Sequence, residues 1–502
     1  MLGANGRKRT GLQLNDVLDT AKVFGDPQPL PLTSCCANAR QCRPGDIFVA
    51  VLDAEHDGHN DATEAVRRGA IAVVAEQVVP VQVPVILVED TRVAFGQICQ
   101  AISGNPTDQL KLIGVAGTYG KTTTELLITS ILEAAGKDMG VIGSLGYCDG
   151  VNTAGGPRKT PSTAELADWL SRMVTHGSTH GVIEMDASSL ARRALSGVNL
   201  EAAVITNIRR ASLNEFGSLL NYRKAIARIV DNLVPGGACV LNADDPASQR
   251  LLDTINGPVL TFGIHKPAEI RATIVERHLG EQTFLLSAGN ETVPVRTQLI
   301  GDHHVHNCLA AAATGLLFGC DLTTIARGLE FVKELPGRME LLRYGQSFGV
   351  FVDQANSPES LALTLKTLRQ VTRGRLICAC GADFDRDHDE RPLLGRAMER
   401  NADVPVVTSG NIGYEEPLQM AHDILDGFKR PSTARVMPNR ARAIEWAVCQ
   451  AREGDIVLIA GSAPALTCGE NGLSDKDVAV GCLRSLQEEQ NNETASCVLI
   501  SR

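Results

Sequence analysis

The 502-residue sequence lacks an excess of positive charge: its formal net charge is -10. That excludes a nucleic-acid protein relying on overall positive charge, but leaves room for a local basic pocket around an anionic ligand. It also lacks any run near the ~18–20 apolar residues that cross a bilayer, and its N-terminal stretch has no signal-peptide core. The expectation is a cytoplasmic protein with no membrane span. A CxxC pair is missing as well: the fourteen cysteines scatter from Cys35 to Cys497, and only Cys35/Cys36 and Cys378/Cys380 lie close together. Reduced, mostly buried thiols are expected in preference to a metal-thiolate site. What is present, 44% hydrophobic and 21% charged residues, describes ordinary globular protein with room for about three domains.

Residues 1–109 carry short apolar segments, DIFVAVL, AIAVVAE and VPVILV, separated by polar and Gly/Pro-rich connections, and predict a small α/β module. From Leu112 the pattern lengthens. Strand-like LIGVAG precedes helix-like KTTTELLITSILEAAG; HGVIEMD, EAAVITNI, the helical NYRKAIARIVDNL and the strand ACVLN follow. Apolar β-branched runs alternating with amphipathic segments imply a parallel sheet covered by helices. Residues 268–300 read instead as antiparallel strands, and the Ala-rich NCLAAAATGLLFG as a helix. Pro336 and Gly337 mark a boundary, beyond which GVFVDQ, RLICACG, VPVVTSG and DIVLIAG predict a second doubly wound α/β domain. The polar QEEQNNETAS near the end reads as a loose tail.

The stretch GVAGTYGKTTT stands between a predicted strand and a predicted helix. A phosphate loop needs small residues so that backbone N–H groups can surround oxygens, and a helix N-terminus to supply positive potential. Gly114, Gly117 and Gly120 meet the first need. Lys121 supplies a mobile charge for terminal phosphates, and the Thr122 hydroxyl is placed to hold Mg²⁺. Tyr119 is unusual in the most crowded part of such a loop.

This loop resembles the GTNGKTT loop of the Mur ligases, ATP-dependent amide ligases of peptidoglycan synthesis. PGDIFVAVLDAEHDGHN, TPSTAEL, VITNI, VLNADDP, PGRME and LSDKDVA fall in order where that family has counterparts. The resemblance covers nearly the whole chain and points to the UDP-N-acetylmuramyl-tripeptide synthetase branch. It implies an α/β fold of three domains: a UDP-sugar-binding type over 1–109, a P-loop ATPase with a central parallel sheet over 110–335, and a Rossmann-like amino-acid-accepting domain over 336–502. The implied cofactors are ATP and Mg²⁺, and the implied substrates a UDP-N-acetylmuramoyl dipeptide and an amino acid, with no nucleic acid. Association with other cell-wall enzymes is a further implied possibility. ATP would phosphorylate the dipeptide carboxylate, and an amine would attack the acyl phosphate. By the same resemblance Lys121, Glu184 and Arg338 are catalytic. Gly117, Thr118, Gly120, Lys121, Thr122, Thr123, Asn307, Arg338 and Asp353 contact the nucleotide. Thr160, Pro161, Asn207 and Arg386 contact substrate, and Thr122 and Glu184 ligate the metal.

Departures from the family pattern concentrate where the chemistry should be. IEMDASSLA keeps Glu184 but has Ser188 where the family has histidine. TNIRRASLNEFG has Ala211, Ser212 and Phe216 for an Asp-His pair and a later histidine. Ile226 stands where the family carries a lysine that becomes carbamylated and holds a second Mg²⁺; Lys224 is about 200° away on a helix. Asn356 replaces a histidine, Glu390 a lysine, and His304 the first asparagine of an NxxN pair. Gly410–Gly413 lacks the arginine that recognises diaminopimelate, and Gly461–Ala465 lacks the Lys, His and Glu of GKGHE. Two readings follow. One is an ATP-dependent ligase with impaired or altered catalysis. The other is a non-catalytic paralogue that binds ATP or the UDP-sugar and acts through partners.

Overall fold

A computed structural model describes residues 12–18, 22–25, 30–53, 56–155, 160–209, 213–384, 388–411, 413–461, 467–468 and 473–500, with backbone only for 213–214, 467–468 and 489–500. The chain forms two compact units, Met1–Arg271 with Leu309–Ile325, and Ala272–Cys308 with Ala326–Arg502.

The first unit holds two sheets. In the smaller, the strands run in the order Lys22–Phe24, Val85–Leu87, Ala72–Ala75, Ile47–Val49, Cys35–Cys36, parallel except for the first pair. In the larger, Lys111–Ala116 lies at the centre, between Leu200–Ile205 and His180–Glu184. Leu233–Asn242 and Val259–Gly263 extend one side in parallel. Met139–Gly143 extends the other, followed by the antiparallel Gly146–Cys148 and Thr153–Gly155. The central strands are buried along most of their length, with their charged residues Lys111, Glu184 and Glu201 at or near strand ends, as expected where helices cover both faces of a parallel sheet.

In the second unit Glu281–Ala288 and Glu291–Thr297 pair as an antiparallel hairpin, as the alternation around Gly289 predicts. Its main sheet has the order Glu340–Leu341, Gly349–Asp353, Ile456–Ala460, Leu376–Cys380, Val404–Val407, Arg435–Val436, parallel after the first pair. The stretch QEEQNNETAS, expected as a loose tail, instead continues the helix Asp475–Ile500. Glutamine, glutamate and alanine favour helix, and neither glycine nor proline interrupts the chain after Gly481. Among the described residues no helix is long and apolar enough to cross a membrane.

Candidate functional site

Parallel register decides which side chains meet at the loop. Val115 pairs with Glu184 and Ala116 with Ile205, so the chain leaving the central strand has Glu184 on one side and Thr206–Asn207 on the other. Gly117 has φ +140°, and a Cβ there would lie 2.1 Å from Thr206 Oγ1, so glycine alone fits. Gly120, also at positive φ, is the N-cap of the helix Lys121–Ala134, whose first N–H groups face the loop. The Lys121 ammonium donates to the carbonyls of Gly117 (3.1 Å) and Thr118 (3.3 Å).

Tyr119 is held by its backbone. Its N–H donates to Asn207 Oδ1 (3.2 Å), while its carbonyl accepts from Asn207 Nδ2 (2.9 Å) and Thr206 Oγ1 (2.7 Å). These three bonds run through the backbone of Tyr119 and tie the loop to the strand end at Thr206 and Asn207. Asn207, expected at the substrate, here clasps the phosphate loop. Thr118 Oγ1 accepts from the Arg209 N–H (2.9 Å) and the Tyr222 hydroxyl (3.1 Å).

At the head of the helix, Thr122 Oγ1 donates to Glu184 Oε2 (3.0 Å). The Ser144 hydroxyl and N–H donate to the same carboxylate oxygen at 2.8 and 3.1 Å, and the hydroxyls of Ser144 and Thr122 are 2.9 Å apart. Two hydroxyls and a carboxylate make a compact set of hard oxygen donors, which fits Mg²⁺ holding several waters and phosphate oxygens. One turn along the same helix, Glu125 is 1% exposed. Its carboxyl fills the space beside Gly143, where a Cβ would meet Oε1 at 2.1 Å. Burial, and then the charge of Glu184, push that carboxyl well above the usual range.

Thr160 Oγ1 donates to Asp186 Oδ2 (2.5 Å), and Asp186 caps the helix Ala187–Ala191 through the Ser189 N–H. Burial opposes the charge on Asp186, but the Thr160 and Ser189 contacts hold its carboxyl below the usual range. Pro161 is buried and Ser188 half-buried. Ile226 is fully buried in an apolar cluster with Ile205, Tyr222 and Ile229, while Lys224 is exposed. The Phe216 ring stands edge-on to Tyr222, centroids 5.3 Å apart. Ile226 and Phe216, the two positions where the resemblance implies a titratable side chain, are thus apolar contacts.

The remaining candidates lie in the second unit. The Asp353 carboxylate accepts from the N–H groups of Met339 (2.7 Å) and Ala355 (2.9 Å) and from Thr364 Oγ1 (3.2 Å). It therefore shapes the turn that carries the half-buried Arg338. Burial pushes the Asp353 carboxyl up, with the Arg338 charge opposing. Asn307 and His304 are buried in the helix Asp302–Leu317, and the ring of His304 lies 4.3 Å from that of His303. Burial lowers His303 to about 4 and pushes His304 well below its ordinary value. Arg386 lies outside the described residues, as do Ala211, Ser212, Ile412 and 462–465.

Residues 115–315 match the Mur ligase middle domain, and residues 337–463 the Mur ligase glutamate ligase domain. The chain belongs to the Mur ligase family. It is 38% identical over 432 residues to the UDP-N-acetylmuramoyl-L-alanyl-D-glutamate–2,6-diaminopimelate ligase of Geobacillus thermodenitrificans, covering 84% of this chain and 88% of the relative. A solved structure of a ligase of that name superposes with TM-score 0.71 at 25% identity, over 95% of this chain and 99% of that one. The fold is also shared with a Thermotoga maritima ligase solved with ADP, at TM-score 0.61 and 20% identity, over 91% and 99% of the two chains. The architecture is the three-domain one of Mur ligases.

In this Mur ligase four residues near the loop escaped the sequence reading: Ser144, Asp186, Glu125 and Tyr222. Asp186 and Glu125 had a local signal, each being a carboxylate beside a motif residue. Ser144 and Tyr222 had none, because strand register and helix packing bring them in.

Proposed function

We propose that the protein is a cytoplasmic ATP-dependent amide ligase that adds an amino acid to a UDP-N-acetylmuramoyl dipeptide, with catalysis altered from the family pattern. The observation that carries this is the oxygen cluster of Thr122, Ser144 and Glu184 at the head of a glycine-built phosphate loop. In this reading residues 1–109 take the UDP-sugar, 110–335 the ATP, and 336–502 the incoming amine. Gly117, Thr118, Gly120 and Thr123 frame the phosphates, and by the resemblance Asn307, Arg338 and Asp353 are nucleotide contacts as well. Lys121 and Arg338 neutralise charge on the transferred phosphoryl group. Thr122 and Glu184 would hold Mg²⁺, which when bound draws charge from the phosphate oxygens. Thr160 and Pro161, oriented by Asp186, together with Asn207 and Arg386, address the sugar peptide.

Ile226 favours a second reading, a nucleotide- or UDP-sugar-binding paralogue without ligase turnover. An alkyl side chain cannot carry a carbamate, and removing one charge-handling group from a phosphoryl-transfer centre typically costs ~10²–10³-fold. Phosphate release with UDP-N-acetylmuramoyl-L-alanyl-D-glutamate and a panel of amino acids, diaminopimelate and lysine included, separates the two. Slow release that depends on one amine is the expected result. Amine-dependent release near ~1 s⁻¹ would remove the claim of altered catalysis. Nucleotide binding with no amine-dependent release would establish the paralogue. Absence of ATP·Mg²⁺ binding would sink the ligase reading and leave only a paralogue that binds the UDP-sugar.

A further inference from the structure

Residues 1–109 hold four cysteines, Cys35 and Cys36 on an edge strand of the small sheet, Cys42 just after the turn Ala39–Gln41 and Cys99 in the helix Thr91–Ile102, and they divide into two pairs. Side chains alternate along the strand Cys35–Cys36. Cys35 packs with Leu14 and Ile47 on one face, its sulfur 3.8 Å from that of Cys99. Cys36 faces the other way, toward Cys42 and Phe48. On that second face the two sulfurs and a carboxylate oxygen of Asp46 all lie within 4.8 Å of one another. Among the described residues this is the one group of three or more His, Cys, Asp or Glu side chains that converges so closely.

We propose that Cys36, Cys42 and Asp46 form a Zn²⁺ site with three protein ligands and an open fourth position. Thiolates select a soft-tolerant cation over Mg²⁺ or Ca²⁺, and a carboxylate completes a familiar zinc donor set. Tetrahedral geometry with Zn–S near 2.3 Å sets the sulfurs about 3.8 Å apart, so the cluster needs to contract by no more than about 1 Å.

The backbone holds the ligands in advance. Cys36 pairs with Phe48, Ile47 donates to the Ser34 carbonyl, and Asp46 donates to that of Arg43. Asp46 Oδ1 accepts from the Ser34 hydroxyl (2.5 Å) and Oδ2 from the Arg43 N–H (2.8 Å), contacts that orient a ligating carboxylate and leave each oxygen a further lone pair. Cys42 and Asp46 are buried while Cys36 is half-buried, which gives the cation a way in. Core filling alone explains one buried and one half-buried thiol, but it does not explain a carboxylate oxygen within 4.8 Å of both sulfurs. Binding is balanced by proton release: two thiols and one carboxylate take up Zn²⁺ and give up about two protons. The site is independent of the ligase reading, because it uses none of the residues assigned to ATP or substrate.

The test uses the full chain, stripped with a chelator and titrated with Co²⁺, then Zn²⁺. The expected result is one Co²⁺ per chain, with thiolate-to-cobalt charge transfer and the visible bands of a four-coordinate site, displaced by Zn²⁺ with release of about two protons per metal. Cys36→Ser and Cys42→Ser should each remove the charge-transfer band and weaken Zn²⁺ at least tenfold, while Cys35→Ser and Cys449→Ser leave one metal per chain. Circular dichroism checks that each variant folds, and Asp46→Asn provides a second ligand variant that keeps the thiols. A wild-type protein with no charge-transfer band, or a band that survives the double serine variant, would overturn the site without bearing on nucleotide binding.

Discussion

At the scale of single residues, Ile226 carries the proposal of altered catalysis. It is fully buried among apolar neighbours, on the opposite side of its helix from the exposed Lys224. Ile226→Lys therefore puts an ammonium group into a place with no partner for it, at a cost of about 3 kcal/mol or more. The expected outcome is a lower denaturation midpoint with no gain in phosphate release. A gain in Mg²⁺-dependent turnover at unchanged stability would mean that position 226 still addresses the metal. Tyr119 teaches the converse. Its place in a crowded loop suggested lost chemistry, but Asn207 and Thr206 bond its backbone and hold the loop there.

At the scale of elements, Asp149 ties the strand Gly146–Cys148 to the helix Thr163–Thr175. Its fully buried carboxylate accepts from the N–H groups of Asn152 (2.7 Å) and Val151 (3.2 Å), from Arg172 (2.7 Å), and faces His176 (3.0 Å). Burial opposes its charge, but these donors outweigh burial and lower the carboxyl from 3.8 to about 2. The folded state thus releases this proton more readily than the unfolded chain. The stabilisation is complete above pH 3.8 and is lost as pH falls through about 2. Asp149→Asn should cost roughly 1–2 kcal/mol at neutral pH, and the gap to wild type in urea melts should close between those two pH values. A gap that persists unchanged at pH 2 would assign the loss to packing. The helix Asp475–Ile500 shows the limit of reading elements by polarity: a stretch without apolar periodicity looked like a tail, yet helix propensity carried it on.

At the scale of the whole molecule, two compact units mean that unfolding is not a single two-state event. A ligand stabilises the unit that binds it. ATP·Mg²⁺ at a hundred times its Kd should add about 2.7 kcal/mol to the unit holding Lys121, seen as slower hydrogen exchange in Lys111–Ala116 and Lys121–Ala134. Lys121→Ala should abolish that protection; if it persists, the loop does not hold the phosphates. The sequence by itself determined the strand–loop–helix, the alternation of apolar strands and helices, and the glycines at the turns. Each of these depends on neighbours along the chain, where local sterics and periodicity act. Only the tertiary structure decided that Ser144 joins Thr122 and Glu184, that Ile226 belongs to the core, and that Cys36, Cys42 and Asp46 converge. Thr122 and Glu184 are 62 positions apart. Their meeting follows from the register of parallel strands, which long crossovers set and local pattern does not encode.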